Sequence, residues 1–239
     1  MTGNGGQRPL IYYDLSNSQL EHWADELNRR YRPERLISPS EADVYDIVDL
    51  LDARLAIEYI TPTRKYLGAT IFTADDLWIW PGNPYVQGMR PEKKSFYAGT
   101  IIIDKDLNES KKEQDKFIEN FTMIHECFHF DNHGPCFKHA VHMSLSYSDR
   151  STGKRSNNYA LYRIERQADY GAAAFLMPRE AVKNAAREIL GYRDIKLPFG
   201  QNIKEPIRNV GRLFGVNYSP MVYRLQEIGI LEEEFNPYL

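Results

Sequence analysis

The sequence predicts an α+β protein, and three observations carry that reading. Helical apolar spacing runs up to Leu51, short β-branched and aromatic runs fill 54–104, and helical spacing returns from Ser110 onward. With 239 residues, 42% of them hydrophobic, and 11 Phe, 16 Tyr and 3 Trp, the chain can bury a sizeable core.

Residues 1–15 read as a loose N-terminal segment, Gly-rich and polar at its start. The rest, 16–239, reads as a single domain with a C-terminal helical subdomain at about 203–230. "SNSQLEHWADELNRRY" predicts a helix starting near Ser16 or Ser18. "SPSEADVYDIVDLL" predicts a second, capped by Ser38 or Ser40, with Val44, Ile47, Val48 and Leu51 at helical spacing. "RLAIEYIT", "LGATIFTA", "DLWIWP" and "AGTIIID" predict the strands of a small mixed sheet, and "NPYVQGMRPEKKS" a polar loop. From Ser110 to His133, the residues Phe117, Phe121, Ile124 and Phe128 form one apolar stripe, ended by Gly134-Pro135. "SYSDRSTGKRSNN", 146–158, reads as a surface loop. A helix from Tyr159 to just before Pro178 places Leu161, Ile164, Ala168 and Phe175 inward. Helices at about 179–190, 204–214 and 219–228 complete the chain.

The net charge of −3 gives no general attraction to nucleic acid or anionic membranes. No run of about 18 apolar residues suggests a membrane span. "MTGNGGQRPL" lacks the apolar stretch of a secretory signal. With only two cysteines, a cytoplasmic protein with reduced thiols is the expectation. Spacing alone leaves open whether Cys127 and Cys136 pair.

The chemistry concentrates in "MIHECFHFDNH", 123–133. On a helix, His125 and His129 stand one turn apart on one side. Each follows a stripe residue by one position, so both are expected on the flank of the buried face, at the edge of a cleft. From there two imidazole nitrogens could reach one Zn²⁺, with Glu126 beside the open position as general base. A catalytic zinc needs a third protein ligand. "YRIERQADYGAAAFLMP" offers Glu165, and one turn on, Asp169, whose carboxylate could accept the free N–H of a ligating histidine and fix its tautomer. Cys127 lies about 200° around the helix from the two histidines, so it reads as a small buried thiol. His133, His139, His142, Tyr147, Tyr159 and Tyr162 are candidate donors to an oxyanion. The strand around Gly99–Asp104 is expected to pair with an extended peptide along an edge.

"HECFH" followed by "ERQAD" and "AAAFLMP" resembles the ImmA/IrrE family of bacterial zinc metallopeptidases, and the likeness spans roughly 40–230. "GTIIIDKDL" sits where that family has a strand before its zinc helix. The resemblance implies a zincin-like fold of gluzincin layout: a sheet, a helix carrying His125, Glu126 and His129, a helix carrying Glu165, and a C-terminal helical pair. It implies a zinc-dependent regulatory endopeptidase whose substrate is a DNA-binding helix-turn-helix repressor. The gap between His129 and Glu165 is longer than the family leads one to expect, and the extra length falls in 134–158.

Two other classes stay open. One is a metal-holding regulatory partner that does not cleave; Glu126 argues against it, because a purely structural site needs no base. The other is a DNA-binding regulator using "IRNVGRLFGVNYSPMVYRLQEIGIL"; here Arg224 is offset by Glu227 and Glu232–Glu234, which would repel phosphates. Direct nucleic-acid binding is therefore not expected.

Overall fold

The computed structural model describes residues 14–62, 64–83, 86, 88–134, 141–145 and 159–233. Most of the N-terminal segment, Pro135-Cys136 and the 146–158 loop lie outside them, with His139, Tyr147 and any Cys127–Cys136 pairing.

Helix α1 (Asn17–Tyr31) starts at Ser16, whose hydroxyl accepts from the Gln19 backbone while the Gln19 side chain accepts from the Ser16 backbone. Helix α2 is short (Val44–Leu50), and its cap is Asp43, accepting from the Tyr45 N–H. Ser38 and Ser40 are not the cap: Pro33–Leu36 forms a 3₁₀ turn, and the chain then runs without regular structure to Asp43.

The strands are β1 (Arg54–Glu58), β2 (Tyr66–Ile71), β3 (Asp75–Ile79), β4 (Glu92–Phe96), β5 (Thr100–Asp104) and β6 (Val141–Leu145). Four form a mixed sheet in the order β1-β5-β2-β6, with β1 and β5 parallel and β2 antiparallel to both neighbours. β3 and β4 form a separate antiparallel ribbon. Two sequence expectations are corrected here. The stretch read as a polar loop contains β4, whose "EKKS" side chains are exposed and which exists through its pairing with β3. β6 lies beyond the histidine helix in sequence, so the sheet is completed after that helix and not before it.

β5 is wholly buried, because both faces of the sheet are covered. Its period-2 alternation sends Ile101 and Ile103 into the helical core, while Ile102 joins Ala69, Ile71, Ile79 and Phe96 beneath the ribbon. It also lies between β1 and β2. The expected edge pairing of a peptide with Gly99–Asp104 is therefore excluded, since both ladder faces of this strand are already used. The edge strands of this sheet are β1 and β6.

After α3 (Lys105–Asn108) comes α4 (Glu113–Phe128), which continues as one wider π turn over His129–His133. Then follow α5 (Tyr159–Leu176), α6 (Arg179–Ile189), α7 (Lys204–Leu213) and α8 (Tyr218–Glu227). One core holds residues from Leu20 through Ile124, Phe175 and Val210 to Leu231, so the C-terminal helices share it with α4 and α5. Among the described residues no helix is long and apolar enough to cross a membrane.

Candidate metal centre

Helix α4 lies between the sheet and α5, so it is buried on more than its apolar stripe. Every residue from Thr122 to Phe128 is buried. His125 is 3% exposed and His129 0%, deeper than the cleft edge their stripe positions suggest. The stripe marks only the face toward the helices. The sheet covers the next face around.

The approach of α5 to α4 is set by Gly171. A Cβ there would stand 2.2 Å from the Phe128 ring, so only glycine lets the helices come this close. Phe128 is in turn held edge-on by Trp23 of α1, at 4.7 Å between ring centroids. The Trp23 indole N–H donates to Asp131 in the π turn (2.8 Å).

Across this contact the two histidines and Glu165 converge. The Nε2 atoms of His125 and His129 are 2.9 Å apart. Glu165 places Oε2 3.5 Å from the first and Oε1 3.4 Å from the second. Tetrahedral bonds of about 2.0–2.1 Å would separate donor atoms by roughly 3.3 Å, close to the two carboxylate distances and somewhat wider than the one between the histidines. The three donors lie within 4.8 Å of one another, and the set could hold a metal ion. The neighbouring arginines point elsewhere: Arg163 pairs with Asp14, and Arg166 donates to Asn17.

The chain also fixes which nitrogen of His125 carries the proton. Asp169 Oδ1 lies 3.0 Å from His125 Nδ1. A carboxylate accepts, so that nitrogen carries the proton and Nε2 keeps its lone pair for a cation.

Glu126 lies on the sheet side of α4, fully buried. Thr70 of β2 donates to its Oε2 (2.7 Å), and the same hydroxyl is 3.2 Å from the Glu126 carbonyl. Two residues earlier on the same strand face, Gly68 leaves room for the carboxylate. A Cβ there would meet Glu126 Cγ and Oε1 and Thr122 Cγ2, each at 2.8 Å. Alternation along β2 thus builds the pocket of this glutamate. The period-2 pattern of "LGATIF" held that information, but only the identity of the facing helix gives it meaning.

Cys127 is fully buried, and burial pushes its thiol well above the usual range. Of the candidate oxyanion donors, His133 is engaged with His129 and Gln167, and Tyr162 is exposed on α5. The side chains of His142 and Tyr159 lie outside the described residues.

Sequence reasoning missed Thr70, Gly68, Gly171 and Gln167. Each acts through a contact between elements far apart in sequence. No known family's sequence profile matches the chain, and no curated protein matches it.

Proposed function

We propose that the protein is a zinc-dependent endopeptidase of zincin-like fold, with His125, His129 and Glu165 as the metal ligands. The observation that carries this reading is the convergence of two imidazole Nε2 atoms and a carboxylate from two helices, with Glu126 next to His125 in the chain and bonded to Thr70 of the sheet. Two nitrogens and one carboxylate suit Zn²⁺ and leave a fourth tetrahedral position for catalysis. When bound there, Zn²⁺ would act as a Lewis acid on the water and on the scissile carbonyl.

The chain's own groups do the rest. Glu126 takes the proton of the attacking water and delivers it to the leaving amine. Thr70 holds its carboxylate in one rotamer, so the base is oriented before substrate arrives. Asp169 holds the His125 ring.

The likeness of "HECFH", "ERQAD" and "AAAFLMP" to ImmA/IrrE metallopeptidases supports a regulatory, cytoplasmic role, with a helix-turn-helix repressor as the protein substrate. The DNA-binding alternative is disfavoured by Arg224. This one candidate cation of the last helix is 0% exposed and bonded to Glu21, so it is not available to a phosphate.

The test uses the zinc-loaded chain, its Glu126→Gln and Glu165→Ala variants, and a repressor encoded nearby. Wild type should yield defined fragments by mass spectrometry. Glu126→Gln should keep about one zinc per chain and cleave about 10²–10⁴-fold more slowly. Glu165→Ala should lose zinc. Stable complexes without cleavage by any sample, across several repressors, would replace the enzyme with a metal-holding binding module. Full zinc in Glu165→Ala would remove that residue from the ligand set.

A further inference from the structure

We infer that His133 and Gln167 are positioning residues for the metal ligand His129, forming a directed hydrogen-bond chain that fixes its tautomer from behind. The inference rests on the metal reading of the site and adds to it the support of the second histidine.

His133 is the last residue of the π turn, 2% exposed, and Gln167 is fully buried on α5. His129 Nδ1 is 2.8 Å from His133 Nδ1, and His133 Nε2 is 3.1 Å from Gln167 Oε1. The directions follow from counting protons. His129 Nε2 faces His125 Nε2 and Glu165, so it must keep its lone pair to bind a cation. Its proton is then on Nδ1, which donates to His133 Nδ1. His133 accepts there, so its single proton is on Nε2, which donates to Gln167 Oε1. With neutral rings, no other arrangement of these bonds leaves His129 Nε2 unprotonated.

The packing holds this arrangement. The His133 ring meets Phe128 edge-on at 5.2 Å and His129 at 4.9 Å between centroids. The wide turn at 129–133 is where the helix departs from regular geometry, a feature frequent at functional sites. Asp169 performs the same task for His125 from the same helix that supplies Glu165 and Gln167. One helix therefore brings a ligand and the last acceptor behind each histidine.

The experiment measures Zn²⁺ affinity by chelator competition, and the visible absorption of the Co²⁺-substituted protein, for wild type, His133→Leu, His133→Gln and Gln167→Leu. Circular dichroism of the metal-free proteins checks folding. His133→Leu and Gln167→Leu should each bind Zn²⁺ about 10–100-fold more weakly and alter the Co²⁺ spectrum. His133→Gln should recover most of the loss, because its amide oxygen can accept from His129 and its nitrogen can donate to Gln167. Gln167→Leu leaves the His133 ring in place and carries the test if His133→Leu does not fold. Folded variants with wild-type affinity and spectrum would overturn the inference, as would His133→Gln losing as much as His133→Leu. A wild type that binds no Zn²⁺ would instead overturn the metal reading itself.

Discussion

At the scale of single residues, the chain keeps an ionisable group in its core for reasons separate from the site. Asp104, the last residue of β5, is fully buried, and its Oδ2 accepts from the Ile60 N–H at 3.3 Å. Burial pushes its carboxyl from 3.8 up to about 6, against the pull of that hydrogen bond. The folded state therefore binds this proton more tightly than the unfolded chain does. The associated stability is fully present below pH 3.8 and is lost as pH rises toward 6, a difference of about 3 kcal/mol. Asp104→Asn removes the titration and keeps an acceptor for Ile60. Urea unfolding should find the variant more stable than wild type at pH 7.5, by up to about 3 kcal/mol, with the gap closing near pH 4. A gap that does not change with pH would mean that Asp104 is solvated in the native state. The residues of the candidate metal centre were more legible than this one. His125 and His129 at i, i+4 and Glu165 and Asp169 at i, i+4 declare shared helix faces from spacing alone. The chain from His129 through His133 to Gln167 was not legible, since it joins residues 34 apart in sequence across two helices.

At the scale of elements, the longer helices and four of the six described strands were readable because their side chains carry the period of their own structure, whereas the single turn of α3 (Lys105–Asn108) was not. β4 was not, since a ribbon strand with its charged side chains in water needs no apolar alternation. The length of α2 was not readable either. The serines upstream have the right chemistry for a cap, and only the position of the 3₁₀ turn decides for Asp43. The element contact that matters most for the site is α4 against α5, and it turns on one missing side chain. Gly171→Ala would place a methyl group within the Phe128 ring. Retreat of Phe128 is limited by its edge-on packing against Trp23. The helices must separate, moving Glu165 and Asp169 away from the histidines on α4. We expect a loss of about 1–3 kcal/mol in the metal-free protein by denaturant unfolding. Weaker Zn²⁺ binding should accompany it, although residue 171 touches no ligand. Lost stability with unchanged affinity would show that α5 yields locally and that the site does not depend on this spacing.

At the scale of the whole molecule, a single carboxylate joins four helices. Glu21 of α1 accepts from both terminal nitrogens of Arg224 of α8, at 2.8 and 2.9 Å. It also accepts from the Tyr170 hydroxyl of α5 and from Arg179 at the start of α6, each at 3.0 Å. Arg224 Nε donates to the Met177 carbonyl at 3.0 Å, where α5 ends. Burial pulls the Glu21 carboxyl upward, but the bonds and charge of Arg224 outweigh it and hold the group below its ordinary value. This network fastens the C-terminal helices to the helix that carries Glu165, which is why they share its core and why Arg224 cannot serve a partner. The pair's net worth is small compared with the cost of breaking it, because each charge has been taken out of water. Glu21→Leu alone removes both bonds to the Glu21 carboxylate and leaves the buried guanidinium with Glu227, 3.6 Å away, and the Met177 carbonyl, so it should cost about 3 kcal/mol in chemical unfolding. Arg224→Met alone strands Glu21, which still has Tyr170 and Arg179, so it should cost less. The double variant removes both members of the Glu21–Arg224 pair, although Glu227 then loses its contact with Arg224, and it should be more stable than Glu21→Leu. If instead the two single costs simply add, Glu21 and Arg224 are not coupled, and the docking of the C-terminal helices rests on the apolar contacts of Val210, Phe214, Met221 and Leu225 alone.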